Sequence, residues 1–190
     1  MIKVFFDLDG VLRDLEKSVF GYRVPEWDTP IEGMAFFDFV EYKGLQIVDK
    51  ALPTKFYRTV HTWFARHPEH ALVILTHQPE HWKKYTERWV KEHFGNIRYS
   101  LCYTDKMMGK LKYLDNAILI DDYPGFAGNP NVIIVSKTYN KFDHAPHLRI
   151  SKATHMEHVL DYCHSEHSSI DTMFRDLSEY KEGEYSCMKL

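Results

Sequence analysis

The sequence predicts an α/β fold: a doubly wound, mainly parallel sheet with a small helical cap inserted after the first strand. Three observations carry that expectation. Short apolar runs with Val and Ile recur along the chain, stretches of helical spacing separate them, and every run ends in polar residues. Continuous apolar runs of this length suit strands buried on both faces, as in a parallel sheet. Such a sheet needs a crossover, usually a helix, between its strands.

The first strand is Ile2–Phe6, which leads directly into Asp7-Leu8-Asp9-Gly10-Val11. Residues 15–66 then break the rhythm. They contain Gly21, Pro25 and Pro30, an apolar stretch over Met34–Val40 and a helix expected over Pro53–Ala65. That is too long for a simple crossover, and it reads as a cap over the site. The second strand is Leu72–Leu75, before Thr76. A helix follows over Glu80–Phe94, with Trp82, Tyr85, Trp89, Val90 and Phe94 near helical spacing, Pro79 at its start and Gly95 past its end. Lys106–Tyr113 predicts a shorter helix, Ala117–Ile120 a strand before Asp121-Asp122, Val132–Val135 a strand before Ser136, and His155–Cys163 a last helix. The catalytic domain is expected over 1–165. A tail over 166–190 carries Ile170, Met173, Phe174, Leu177 and Tyr180 at helical spacing, which suits docking on its own domain.

Composition bounds the partners. A chain of 190 residues, 44% of them hydrophobic, suits one domain with a sizeable core. The formal net charge of -3 gives no global attraction to nucleic acid, so a nucleic-acid partner is not favoured. No apolar run approaches the roughly 20 residues that span a bilayer. The N-terminus enters a strand-like run at once, without the features of a signal peptide. Cys102, Cys163 and Cys187 lie far apart without a CxxC pair, which argues against a disulfide framework and for a cytoplasmic location. Oligomeric state is not legible.

In an open parallel sheet, ligands bind beyond the carboxyl ends of the strands. Asp7, Asp9, Thr76, Asp121 and Asp122 all fall there. Carboxylates do not crowd together ionised without a cation, and magnesium, hard and oxygen-seeking, is the natural one. Singly these pieces are weak: DxDG also forms turns, and an Asp pair also caps helices. Their joint occurrence in this order is specific.

FFDLDGVL (Phe5–Leu12), VILT (Val73–Thr76), a downstream lysine and ILIDDYPG (Ile118–Gly125) resemble the four motifs of haloacid dehalogenase (HAD)-type phosphatases. The likeness is closer to the 5'(3')-deoxyribonucleotidase branch, carried by Asp14, Trp89-Val90, Phe94-Gly95 and Asp121-Asp122 before Pro124. It covers roughly residues 1–165 apart from the cap. It implies a HAD-like, Rossmann-type fold and a magnesium-dependent phosphomonoesterase, a 5'-nucleotidase on nucleoside monophosphates. In that scheme Asp7 is the nucleophile that forms an aspartyl-phosphate, and Asp9 protonates the leaving oxygen and then activates water. Magnesium is held by the Asp7 carboxylate, the Asp9 carbonyl and Asp122, with Asp121 supporting. Thr76 and a lysine bind phosphate. Lys106 sits in the Thr104-Asp105-Lys106 pattern and is taken first, while Lys110 has the better spacing. His77 stands where the family often has a small hydroxyl residue, either as a further phosphate contact or lying aside. Leu15 stands where close relatives place a base-stacking aromatic; Phe20, Tyr22, Trp27, Phe36 and Phe37 offer other stacking groups or plain core.

Three alternatives stay in view. A polynucleotide 3'-phosphatase would need a cationic channel, for which Lys83, Lys84, Arg88 and Lys91 give one helix a basic face broken by Glu80, Glu87 and Glu92. Another small-metabolite phosphatase needs only the same chemistry. A non-catalytic phosphate-binding protein would be expected to lack one of the four aspartates. Zinc is disfavoured: His77/His81, His144/His147 and His155/His158 have helical spacing, but there is no HExxH.

Overall fold

The computed structural model describes residues 1–21, 30–140, 148–165, 169–170 and 172–173. Tyr22, Pro25, Trp27, His144, His147, Cys187 and the tail residues Phe174, Leu177 and Tyr180 lie outside the described residues. Its strands are β1 Lys3–Phe6, β2 Arg13–Asp14, β3 Leu52–Pro53, β4 Leu72–His77, β5 Tyr99–Thr104, β6 Ala117–Asp121, β7 Val132–Val135 and β8 Arg149–Ile150. Its α-helices are α1 Leu15–Phe20, α2 Phe36–Lys43, α3 Gln46–Asp49, α4 Tyr57–Arg66, α5 Lys83–Phe94 and α6 Ala153–His164. None of the described helices is long and apolar enough to cross a membrane.

Six strands form one sheet in the order β5-β4-β1-β6-β7-β8, and every pairing is parallel. The expected doubly wound parallel sheet is therefore present. Successive side chains of a strand face opposite ways, so each apolar run splits between two cores. Val4, Phe6, Leu72, Ile74, Ile118, Ile120, Ile133 and Val135 face one side. There α4 adds Val60, Trp63 and Phe64, α5 adds Trp89, Val90 and Phe94, and α6 adds Met156, Val159 and Leu160. Phe5, Leu75, Leu119, Val132 and Ile134 face the other side, covered by Leu111, Leu114 and Phe126. Each face thus excludes water from the sheet, but with unequal cover. The second face carries two 3-10 segments, Met107–Tyr113 and Pro124–Phe126, where a short α-helix was expected over Lys106–Tyr113.

The segment before β4 opens with a two-stranded antiparallel ribbon, β2 with β3. A third cluster, Leu15, Val40, Val48, Ala51 and Trp82, holds α1, α2 and α3 together. The helix expected from Pro53 begins only at Tyr57, because Pro53 pairs with Arg13 in the ribbon. α4 is amphipathic and lays its apolar face on the main core beside α6, so that end of the 15–66 segment packs with the sheet. At the start of the tail, Met173 is buried in the main core and Ile170 packs against it.

Candidate active site

The strand order reverses between β1 and β6, the kind of crevice where ligands bind in open α/β sheets. Asp7 follows β1 and its N–H donates to the Ile120 carbonyl at 2.9 Å, which sets it beside Asp121 at the end of β6. Thr76 arrives from β4, the other neighbour of β1. Parallel pairing brings all these ends to one edge.

Lys110 binds this group together. It is fully buried, with Nζ 2.8 Å from Asp7 Oδ1 and 2.8 Å from Asp121 Oδ2. The backbone adds a bond to each acid: the Tyr123 N–H donates to the other Asp121 oxygen, Oδ1, at 2.8 Å, and the Leu8 N–H donates to the Asp7 oxygen that faces Lys110, at 2.7 Å. Burial pushes the Asp7 carboxyl well above the usual carboxylate range; Lys110 opposes this, and Asp121 and Asp122 add to it. Burial would lower the Lys110 ammonium, but attraction to Asp121 and Asp7 outweighs it and the net shift is upward.

Asp122 closes the cluster from the other side. The Tyr139 hydroxyl donates to its Oδ2, and Asn140 Nδ2 holds its backbone carbonyl at 2.8 Å. Asn140 is in turn gripped by the Arg149 guanidinium, 2.5 Å from Asn140 Oδ1. Burial raises the Asp122 carboxyl to about 7, against the pull of the Lys137 ammonium. Gly10 makes room for this acid. It has a φ of 80°, and a Cβ there would overlap the Asp122 carboxylate.

Asp9 points elsewhere. Its carboxylate meets Arg13 through two parallel bonds, Nε to Oδ1 at 2.7 Å and Nη2 to Oδ2 at 2.8 Å, and accepts a third from Gln78 Nε2 at 2.6 Å. Gln78 also donates to Thr76 Oγ1 at 3.3 Å.

A cavity of about 280 Å³ opens above these groups. Its floor is polar, with Asp7, Asp9, Thr76, Lys110 and Asp122, while Leu15, Ile31, Phe36, Phe37 and Met107 make its upper wall apolar. Leu15 thus reaches the cavity without a ring, and Phe36 and Phe37 bring the aromatic surface. Phe20 packs edge-on against Phe36 and tilted against Phe39 instead of lining the space. His77 lines the wall, with Nδ1 2.9 Å from the Thr104 carbonyl and its ring edge-on to Phe37. Of the two lysines weighed, Lys106 is exposed and does not line the cavity, whereas Lys110 reaches Asp7. The physical reason is the 3-10 segment: Lys106 precedes it in extended backbone, and Lys110 lies inside it, facing the sheet.

The donor set fits a hard divalent cation. Asp7, Asp121 and Asp122 each offer an oxygen, these atoms lie within 4.8 Å of one another, and all three residues are buried. Burial first, and repulsion from neighbouring acids second, raise the Asp7 and Asp122 carboxyls, and a bound cation would offset both effects. Among the described residues no other set of three or more His, Cys, Asp or Glu side chains comes within metal-holding distance.

Sequence reasoning missed Arg13, Gln78, Tyr139 and Asn140. Arg13 gave one signal, a cation four residues after Asp9 and directly after the apolar Val11-Leu12 pair. The other three act across 17 to 69 residues of chain, where local pattern is silent.

No protein-family model matches the chain, and no curated relative matches it. Among solved structures it is similar to a Thermotoga maritima protein assigned as a beta-phosphoglucomutase, with 14% identity, a TM-score of 0.48, and coverage of 85% of this chain and 99% of that one. It is also similar to a HAD family hydrolase from Deinococcus radiodurans R1 with bound phosphate and sodium. There the identity is 13%, the TM-score 0.44, and the coverage 94% and 96%.

Proposed function

We propose that this chain is a magnesium-dependent phosphomonoester hydrolase of the HAD type, acting on small phosphorylated metabolites, with nucleoside 5'-monophosphates as its preferred substrates. The observation that carries the reading is the buried Asp7–Lys110–Asp121–Asp122 cluster at the strand-order reversal, opening into a small cavity. A carboxylate nucleophile beside a buried ammonium and a cation site is suited to a phosphoryl group, whose transfer depends on positioning and charge neutralisation.

In the first step an Asp7 carboxylate oxygen attacks phosphorus. The bond to the leaving oxygen breaks, and Asp9 passes it a proton, releasing the alcohol. In the second step Asp9 takes a proton from water as that water attacks the aspartyl-phosphate, and inorganic phosphate leaves with Asp7 restored. Lys110 and Thr76 hold phosphate oxygens, and His77 lies within the same wall. Asp7 and Asp122 would hold magnesium, with the Asp9 carbonyl as the resemblance implies and Asp121 supporting through Lys110; the ion supplies charge neutralisation at phosphate. Residues 15–66 serve as the cap, in which α1 and α2 deliver the apolar wall and α4 returns the chain to the sheet.

At about 280 Å³ the cavity falls just below the range for small-molecule sites, about 300–1,000 Å³, which favours a compact monoester over a polynucleotide strand. Its apolar upper wall suits a flat base. The wide spacing of Cys102, Cys163 and Cys187, with no CxxC pair, favours a reducing, cytoplasmic setting. The test is phosphate release with magnesium from nucleoside 5'- and 3'-monophosphates, sugar phosphates and 3'-phosphorylated oligonucleotides. Mononucleotides are expected to turn over, and Asp7→Asn to abolish release while keeping the fold. Release from oligonucleotides alone would overturn the substrate assignment, and undiminished turnover by Asp7→Asn would overturn the mechanism.

A further inference from the structure

Asp9 has to present one oxygen to the leaving group, yet a carboxylate on a loop turns freely about two bonds unless it is held. Here it is held on both oxygens. The Arg13 guanidinium engages Oδ1 and Oδ2 at 2.7 and 2.8 Å, and Gln78 Nε2 adds 2.6 Å to Oδ2. A forked pair of this kind fixes the plane of the acid as well as its distance.

The holders are themselves fixed. Arg13 is fully buried, and its remaining nitrogen, Nη1, donates to the Val48 carbonyl at 3.0 Å and to Thr86 Oγ1 at 3.3 Å. Its guanidinium lies 5.7 Å from the Trp89 ring. Thr86 Oγ1 reaches Gln78 Oε1 at 3.4 Å, so Arg13, Thr86, Gln78 and Asp9 close a ring of hydrogen bonds. Burying a guanidinium is costly unless its charge is met, and the charge that meets it is Asp9. Arg13 does not line the cavity, so it reaches a substrate only through Asp9. Its bond to Val48 comes from α3, so the same side chain ties the orientation of Asp9 to the seating of the α1–α3 cluster.

We infer that Arg13, with Gln78, is a positioning residue that orients Asp9 for proton transfer to the leaving oxygen. The inference rests on the proposed phosphatase reading. Proton donation matters for an alkyl leaving group and little for 4-nitrophenolate, which departs as a stable anion. The two esters therefore separate loss of proton transfer from loss of fold or phosphate binding.

The experiment compares kcat/KM for an alkyl phosphate and 4-nitrophenyl phosphate, with magnesium, in the wild type, Arg13→Lys, Gln78→Met and Asp9→Asn. Asp9→Asn sets the signature of a missing acid. Arg13→Lys is expected to lower kcat/KM for the alkyl ester about 100-fold, within the range general acid catalysis contributes, with a loss at least about tenfold smaller for the aryl ester. Gln78→Met is expected to shift the ratio the same way by less, and it carries the test if Arg13→Lys does not fold. Equal losses on both esters in the folded variants would overturn the positioning role and leave the phosphatase reading standing. No turnover of either ester by the wild type would instead sink that reading, and this inference with it.

Discussion

Lys110→Met removes the cation that joins Asp7 to Asp121 while nearly keeping its volume. The ammonium is fully buried and makes two charge-assisted contacts of 2.8 Å, so neither acid has solvent to replace it. Removing one partner of a buried ion pair costs about 3–5 kcal/mol, and that is the loss expected at pH 7.5. The dependence on pH has a definite sign. Burial already raises Asp7 above its ordinary 3.8, and Lys110 is the largest influence restraining it. Without Lys110 the folded protein holds a proton on Asp7 that the unfolded chain has released. Stability is then favoured at low pH and lost as pH rises through the folded value. The gap between wild type and variant should therefore widen from pH 5 to pH 8. Urea unfolding followed by Trp fluorescence, with a chelator present so that no cation substitutes, gives both numbers. A loss under about 1 kcal/mol, the scale of an exposed ion pair, or a gap that does not change with pH, would refute the reasoning.

Magnesium should raise the melting temperature of the wild type and not of Asp122→Asn, by about 2.7 kcal/mol of stability at 100 times the dissociation constant; scanning calorimetry without substrate reads it. Gly10→Ala should cost at least about 1–2 kcal/mol for its left-handed backbone and also abolish the magnesium shift, because its methyl overlaps the Asp122 carboxylate; an intact shift would contradict that overlap. His164 has its imidazole pKa lowered by burial, aided by His70 and His67 and opposed by its bond to the Leu160 carbonyl. Stability from neutral His164 is thus fully present above the ordinary 6.5 and declines as pH falls below it. The fall in urea midpoint between pH 7.5 and 5 should be smaller in His164→Gln, and an unchanged slope would contradict this.

The central strands were legible because burial on both faces leaves an unbroken apolar run: Ile2–Phe6, Leu72–Leu75, Ala117–Ile120 and Val132–Val135 coincide with β1, β4, β6 and β7 within a few residues. β5 was not, because Tyr99–Thr104 is an edge strand with only Thr104 buried, so neither continuity nor clean alternation marks it. β2, β3 and β8 are two-residue strands, below the length at which a period exists. Within the site, residues attached directly to strand ends could be placed from sequence, as Asp7, Thr76, Asp121 and Asp122 were. The preference for Lys106 over Lys110 was misplaced, since that choice turns on whether the backbone between them coils with three residues per turn or is still extended, and Lys110 is the one beside Asp7. Arg13 and Gln78 belong to a network whose members are distant in the chain, and only the folded geometry reveals that they share Asp9.

The unequal cover of the two sheet faces has a consequence for how the protein breathes. Lys110 rides on Met107–Tyr113, a 3-10 segment whose packing rests mainly on Met107, Leu111 and Leu114. Segments with few buried contacts open below the global unfolding free energy. Lifting this one would withdraw the ammonium from between Asp7 and Asp121 while the sheet and its α4–α6 layer stay closed. Amide exchange across 107–113 should therefore slow when a cation or phosphate ties down the acids. Occupancy of the crevice would thus be readable in a segment that faces it through Met107 and Lys110 alone.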